Sequence, residues 1–278
     1  TIGISSSLTA TLNPLLVRTA NSYIETMKNT HALVLGATGA TGREIVSLLL
    51  KDPSYSKVSI FVRNKPNIKH EKLSIHQIDF SRLSAYKAFI QGDVFFSALG
   101  TTLKDAGSKS QQYLVDYTYQ YAFAKMASEN GVKHYALVSS IGSNENSSFF
   151  YPKMKGALEE AIKKLDFEKT YVFQPPFLIR QTELIRTGEK IGIKVLSVFN
   201  QLGLLKSQKP LPVSTLAQKM IGEISSESTA RLNIYTQRYF SCSAVGITPK
   251  LPLSIFSNTN YNVRIKILTV MVPMTIHM

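Results

Sequence analysis

The stretch HALVLGATGATGREIVSLLLK, from His31 to Lys51, constrains the fold more than any other part of the chain. An apolar run from His31 to Leu35 is short enough for a buried strand. Gly36, Gly39 and Gly42 follow at G-x-x-G-x-x-G spacing, and then Ile45, Leu48 and Leu49 fall on one helical face, with basic Lys51 closing the helix. Strand, glycine turn and helix in that order imply one geometry. Gly36 permits a tight turn, Gly39 lets the backbone approach a phosphate, and Gly42 lets the helix pack closely on the strand. The start of that helix offers free N–H groups and a partial positive charge, so the turn predicts a pyrophosphate site for a dinucleotide.

The rest of the middle repeats the pattern. Lys57–Arg63, the segment KLSIHQIDF, DVFFSALG, KHYALVSS and KTYVFQPP read as further strands. Helices are predicted over Ser81–Ile90, over Gln111–Asn130 with Gly131 as its stop, within Ser147–Leu165, and over Val213–Ile224. Strands alternating with helices predict an α/β fold with a doubly wound parallel sheet, the Rossmann fold, spanning 27–235 and carrying a small C-terminal substrate-side lobe from about residue 176. In such sheets ligands bind beyond the carboxyl ends of the strands.

Candidate residues fall at those ends. An NAD-preferring site carries an acid after the second strand, to accept from the ribose 2′-hydroxyl. Here that position reads Arg63-Asn64-Lys65, and a guanidinium there can take a 2′-phosphate bidentately, so the expected cofactor is NADP(H). Asp79 and Phe80, after the third strand, sit where an adenine edge and face would lie. Leu99 and Gly100, after the fourth, sit beside the nicotinamide-side ribose. The fifth strand ends at Ser139-Ser140, with Tyr151 and Lys155 one helical turn apart shortly beyond. A phenol with a pKa near ~10 is a poor acid at neutral pH until a neighbouring ammonium stabilises its phenolate. Serine, tyrosine and lysine together predict a site that orients a carbonyl, gives it a proton and holds the ribose.

With those motifs the chain resembles the atypical short-chain dehydrogenases/reductases, specifically the Tat-interacting-protein oxidoreductase group, with NmrA-like proteins as more distant relatives. The resemblance covers about Ala32 to Ile224 and rests on GATGATG, DVFFSALGTTLKDAG, VKHYALVSSIGSNENSSFFYPKMKGALEE and the spacing to RTGE at Arg186–Glu189. It implies that Thr38, Gly39, Ala40 and Thr41 contact the pyrophosphate and that Arg63 and Asn64 meet the 2′-phosphate. It implies further that Leu99 and Gly100 line the cofactor, that Tyr151 donates the proton with Lys155 on the ribose, and that Leu178 and Arg186 close over the nicotinamide side. One departure stands out: the group usually reads Arg-Pro-Gly after the sixth strand, and this chain reads Gln174-Pro175-Pro176. The function implied is hydride transfer between NADP(H) and a small carbonyl compound. An NADP(H) sensor on the same fold would need Lys155 but not the Tyr151 phenol, and a partner-binding scaffold would need only the fold.

Composition narrows the alternatives. The chain has 278 residues and a net charge of +14, yet no row of Lys and Arg interleaved with aromatics, so no nucleic-acid partner is expected. No uncharged apolar run approaches the ~20 residues that span a bilayer. The five histidines lack metal-ligand spacing, so no metal is expected, and the single cysteine, Cys242, fits a reducing compartment. Residues 1–26 are Ser/Thr-rich with one acid, and no acid follows Glu227. The first segment reads as a poorly structured extension and 236–278 as a tail outside the fold. The expected location is cytoplasmic, with organelle targeting through residues 1–26 as the alternative. Tyr113, Tyr117 and Tyr121 form an i, i+4 stripe that suits either the fold's interior or a homodimer face, so monomer and homodimer both remain open. The apolar stretch Val195–Leu205 would cap a substrate pocket or touch a membrane.

Overall fold

The computed structural model describes residues 29–179, 210–226 and 228–241. Strand β1 (Thr30–Leu35) runs through the glycine turn into α1 (Ala40–Lys51), followed by β2 (Tyr55–Val62), β3 (Leu73–Gln77) and a 3-10 segment (Phe80–Phe89). After β4 (Val94–Ser97) come α2 (Leu103–Ala106), α3 (Lys109–Tyr113), a π-helical turn (Leu114–Tyr119) and α4 (Gln120–Glu129). Then follow β5 (His134–Val138), α5 (Phe150–Lys163), β6 (Lys169–Phe173), β7 (Leu178–Ile179), β8 (Leu211–Pro212), α6 (Val213–Ser225), β9 (Leu232–Tyr235) and α7 (Gln237–Ser241).

Seven strands form one sheet in the order β3-β2-β1-β4-β5-β6-β9, and every neighbouring pair is parallel. The chain winds outward from β1 through β2 and β3 on one side and from β4 through β5 and β6 on the other, the doubly wound arrangement its sequence predicts. Both faces of the sheet are covered, which is why its strands are apolar at consecutive positions rather than alternate ones. Ala32 and Val34 of β1 join a core with Ile45 and Leu49 of α1 and with Leu216, Met220 and Ile224 of α6. Leu33 and Leu35 join another with Phe123 and Ala127 of α4 and with Leu158 and Ile162 of α5. The four-residue steps along each helix place those side chains on a single face.

Three features depart from the sequence reading. The helix expected over Gln111–Asn130 is interrupted by the π turn. The helix expected over Ser81–Ile90 is a 3-10 segment that starts at Phe80, capped by Asp79 and kinked at Arg82 (φ −127°, ψ 41°). A seventh strand, β9, extends the sheet beyond β6. Past it, Glu223 of α6 accepts from the hydroxyls of Tyr235 (2.8 Å) and Tyr239 (2.5 Å), and Phe240 is only 7% exposed. Packing thus continues through Phe240, beyond the expected edge at 235, because these two tyrosines find a carboxylate on α6. Of the expected substrate-side lobe, β7, β8 and α6 are described, whereas Arg186 and Val195–Leu205 lie outside the described residues. Among the described residues no helix is long and apolar enough to cross a membrane, and no three His, Cys, Asp or Glu side chains cluster as a metal site requires.

Candidate functional site

Because all seven strands run parallel, their carboxyl ends share one edge of the sheet. The glycine turn leaves β1 there, Arg63 and Asn64 follow β2, and Asp79 and Phe80 follow β3. Leu99 and Gly100 follow β4, and Ser139 and Ser140 follow β5. One edge thus gathers residues that lie far apart in the sequence.

The glycine turn has the tightness that its spacing predicts. Gly36 adopts φ +81°, and a Cβ there would stand 2.5 Å from the backbone of Ala98 and Leu99, so the turn lies directly against the end of β4. A Cβ on Gly42 would stand 2.1 Å from the Gly36 carbonyl oxygen, so α1 starts in contact with the turn. Gly39 caps α1 without a side-chain hydrogen bond, and no acid occupies the first turn, which leaves the helix N–H groups facing outward for an anion. Thr38 and Gly39 are exposed, Ala40 is half-buried and Thr41 is buried. Arg63 and Asn64 are exposed, and among the described residues no carboxylate pairs with Arg63. Asp79 accepts from the Ser81 N–H (2.9 Å) and hydroxyl (2.7 Å), and these bonds hold its carboxyl below the usual range. Phe80 is 9% exposed, its ring 5.3 Å from that of Tyr119, so little of that ring is open to an adenine.

Tyr151 and Lys155 stand on α5, the helix that follows the end of β5. Tyr151, in the first turn of α5, is 37% exposed, while Lys155 is 3% exposed with its Nζ 5.8 Å from the Tyr151 ring centre. The buried ammonium is paired with Asp116 of the π turn, at 3.1 Å from Oδ1. Burial is the largest influence on Lys155 and opposes its charge. Tyr151, Asp116 and Glu159 together outweigh it and hold the amine above the ordinary lysine range, so it is cationic at neutral pH. The other oxygen of Asp116 accepts from the Thr101 N–H at 2.7 Å. Gln112 donates to the Thr101 carbonyl (3.1 Å), and Gln120 binds the Ser97 hydroxyl and the Asp116 carbonyl, both at 2.7 Å. Gln112, Asp116 and Gln120 are all buried and form one polar row beneath the turn that follows β4. In the adjacent row, Tyr113 stacks on Tyr117 at 4.7 Å and Tyr117 on Tyr121 at 6.1 Å.

The two serines differ. Ser139 is buried, its hydroxyl donating to Glu159 of α5 in a short hydrogen bond and lying 3.0 Å from that of Ser143. Ser140 is half-buried, with a long 3.4 Å contact to the Ile141 carbonyl, so its hydroxyl is the freer of the two. Glu159 also accepts from Nε2 of Gln174, at 3.1 and 3.0 Å from its two oxygens. Gln174, one of the two residues that depart from the Arg-Pro-Gly pattern, therefore meets this buried acid. Leu178 sits in β7, half-buried and paired with Leu211.

Asp116, Glu159, Gly156 and the row of Gln112 and Gln120 were not singled out from sequence. Gly156 admits the loop after β5, since a Cβ there would stand 2.2 Å from the Glu145 nitrogen. Glu159, four residues after Lys155 on the same helix face, carried a signal. Asp116 carried a fainter one, as an acid set among tyrosines and glutamines.

The chain matches a family described as NAD(P)H-binding over residues 36–183. It is 32% identical over 213 residues to Protein HTATIP2 of Rattus norvegicus, a match spanning 75% of this chain and 86% of that protein. It is 35% identical over 196 residues to the mitochondrial protein FMP52-1 of Scheffersomyces stipitis, spanning 69% and 82%. Its fold resembles that of a UDP-N-acetylglucosamine 4-epimerase of Methanobrevibacter ruminantium M1 (TM-score 0.56, 19% identity, 76% of this chain and 77% of that one). It also resembles the Bordetella bronchiseptica enzyme WbmH, solved in complex with NAD+ (TM-score 0.56, 14% identity, 74% and 75%). With its glycine turn, its parallel sheet and these relatives, the chain belongs to the NAD(P)H-binding atypical short-chain dehydrogenases/reductases, in the HTATIP2-like group.

Proposed function

We propose that this protein is an NADP(H)-dependent oxidoreductase that reduces a small carbonyl compound, with Tyr151 as the proton donor. The observation that carries the proposal is the Tyr151–Lys155 pair, a partly exposed phenol over a buried ammonium whose partner, Asp116, lies against Gly100 in the turn after β4 on which Gly36 also packs. The residues suit a dinucleotide. The bare cap of α1 and the close-packed glycines fit a pyrophosphate, and Arg63, with no described carboxylate beside it, fits a 2′-phosphate. Bound NADPH supplies the hydride. Tyr151 gives its phenolic proton to the carbonyl oxygen as the carbonyl carbon is reduced, which yields the alcohol and leaves a phenolate. The Lys155 ammonium lowers the cost of that phenolate, and solvent reprotonates it because Tyr151 stays partly exposed. Ser140, the freer serine, orients the carbonyl.

Tyr151→Phe keeps the ring and removes the proton. Turnover of NADPH against a panel of small carbonyls should fall by a factor on the order of 10²–10⁴, while NADPH affinity holds. Undiminished reduction by that variant would move the acid elsewhere. A wild-type protein that binds NADPH and reduces nothing in the panel would be a sensor, the reading that Gln174-Pro175-Pro176 favours.

The Ser/Thr-rich, acid-poor segment 1–26 and the fungal relatives called mitochondrial favour organelle targeting over the cytoplasmic expectation. A fluorescent fusion of the full chain should locate to mitochondria, and one lacking residues 1–26 should be diffuse.

A further inference from the structure

We infer that Glu159 is a positioning residue of this site: its carboxylate ties the end of β5 to α5 and so sets the Ser140 hydroxyl in place relative to the Tyr151 phenol. The inference rests on the reading that Ser140 orients the carbonyl and Tyr151 protonates it. Glu159 is 4% exposed and stands about two turns after Tyr151 on α5. It takes the Ser139 hydroxyl in a short hydrogen bond and Nε2 of Gln174 on both of its oxygens, at 3.1 and 3.0 Å. One buried carboxylate thus meets the residue before Ser140 and the residue after β6, from the helix that carries the phenol.

The backbone ladder holds this segment from one side only. The Ser139 N–H donates to the Phe173 carbonyl at 2.7 Å and the Ile141 N–H to the Pro175 carbonyl at 3.1 Å, so the pairing of β5 with β6 continues past both strands. In a parallel ladder of this register the Ser139 carbonyl would next accept from residue 175, but that residue is Pro175 and has no N–H to give. The hydrogen bond from the Ser139 side chain to Glu159 holds the segment there instead. On the far side of Ser140, Gly142 turns the chain with φ +74°, and Ser143 closes the turn on the Ser140 carbonyl with its N–H (3.2 Å) and its hydroxyl (2.7 Å). The Asn144 N–H then donates to the Pro152 carbonyl in the first turn of α5, at 3.1 Å. Ser140 therefore sits between two ties to the helix of Tyr151, Glu159 before it and Asn144 after it.

Glu159→Met keeps the length of the side chain and removes its acceptors. The expected result is a loss of kcat/KM for the carbonyl on the order of 10- to 100-fold, with NADPH affinity unchanged by fluorescence titration. Ser140→Ala should lose kcat/KM as well, and adding Glu159→Met to it should cost nothing further, because Glu159 acts through Ser140. Glu159 also faces Lys155, four residues earlier on the same helix. Glu159→Gln separates the two influences. Its amide can accept from Ser139 and, once the Gln174 amide turns over, pair with Gln174, but it carries no charge. It should recover most of the kcat/KM that Glu159→Met loses.

Wild-type kcat/KM in Glu159→Met overturns the inference and leaves the proposed reaction standing. So does a further loss in the double variant, or a Glu159→Gln protein as impaired as Glu159→Met, which would place the effect in the charge facing Lys155. Undiminished reduction by Ser140→Ala takes Ser140 out of the reaction and the inference with it. If the wild type reduces no carbonyl, the proposed reaction fails and hydrogen exchange decides. Faster exchange of the Ser139, Ile141 and Ser143 N–H groups in Glu159→Met then supports the tie, and wild-type exchange overturns it. Should Glu159→Met not fold, Ser139→Ala cuts the same tie from the other end with every charge kept. It should reproduce the loss, and wild-type kcat/KM in Ser139→Ala overturns the inference.

Discussion

Arg63 and Gln174 show how one side chain sets a property of the site. Arg63 is exposed immediately past β2, with no described carboxylate to neutralise it. If it binds a 2′-phosphate, Arg63→Ala loses a charge-assisted contact of roughly 1.5–3 kcal/mol, or about 10- to 150-fold in NADPH affinity, and leaves NADH binding unchanged. Titration with both nucleotides checks this, and equal weakening would reduce Arg63 to a prop of its loop. Gln174 donates to both oxygens of the buried Glu159. Gln174→Leu strands that carboxylate with Ser139 as its remaining described hydrogen-bond donor, so denaturant unfolding should show a loss of about 1–3 kcal/mol. Such pairs mark the limit of reading a site from sequence. Tyr151 and Lys155 were legible because they share a helix at i, i+4. Asp116 was not, because its partners Thr101 and Lys155 come from other elements and only the folded chain brings them together.

At the scale of elements, three strands carry histidines whose protonation bears on stability. His31 of β1 is lowered to about 4, by burial first and then by Lys57, against the pull of Asp93, and its Nε2 lies 2.9 Å from the Ser59 hydroxyl. His76 of β3 and His134 of β5 are lowered as well, burial again leading. The folded chain thus refuses protons that the unfolded chain accepts below about pH 6.5. The stabilisation is complete above that pH and declines as pH falls toward about 4. Urea unfolding at about pH 7.5 and about pH 5 should show the drop, and His31→Asn should shrink it. The strands bearing these histidines were legible because β1 and β5 are short apolar runs and β3 alternates Leu73, Ile75 and Gln77. The π turn was not: a four-residue row of tyrosines reads as a plain amphipathic helix, and nothing in residue type separates ~3.6 from slightly more residues per turn.

For the molecule as a whole, the last described strand, β9, matters most. β9 was missed because LNIY is short and lies at the sheet edge, with Leu232 39% and Ile234 43% exposed, so it lacks the apolar density of an inner strand. Its hold is nonetheless extensive. Gln174 and Thr170 of the β6 segment bond its backbone, Tyr235 and Tyr239 share Glu223, and Phe240 is buried in the core that α1 and α6 line. Truncation after Ser226 should therefore lower the melting temperature by several degrees or more, and Phe240→Ala alone should cost about 3–5 kcal/mol. An unchanged melting temperature in either protein would mean that this end is dispensable. The pairing of β6 with β9 also sets a timetable. On the ribosome, β6 is complete long before Tyr235 is made, and at ~5–20 residues per second its outer edge waits several seconds with unpaired N–H and C=O groups. An open strand edge is a template for another chain. The newborn protein is thus most prone to aggregation during that interval, and a stalled or prematurely ended chain that stops short of Leu232 never leaves it.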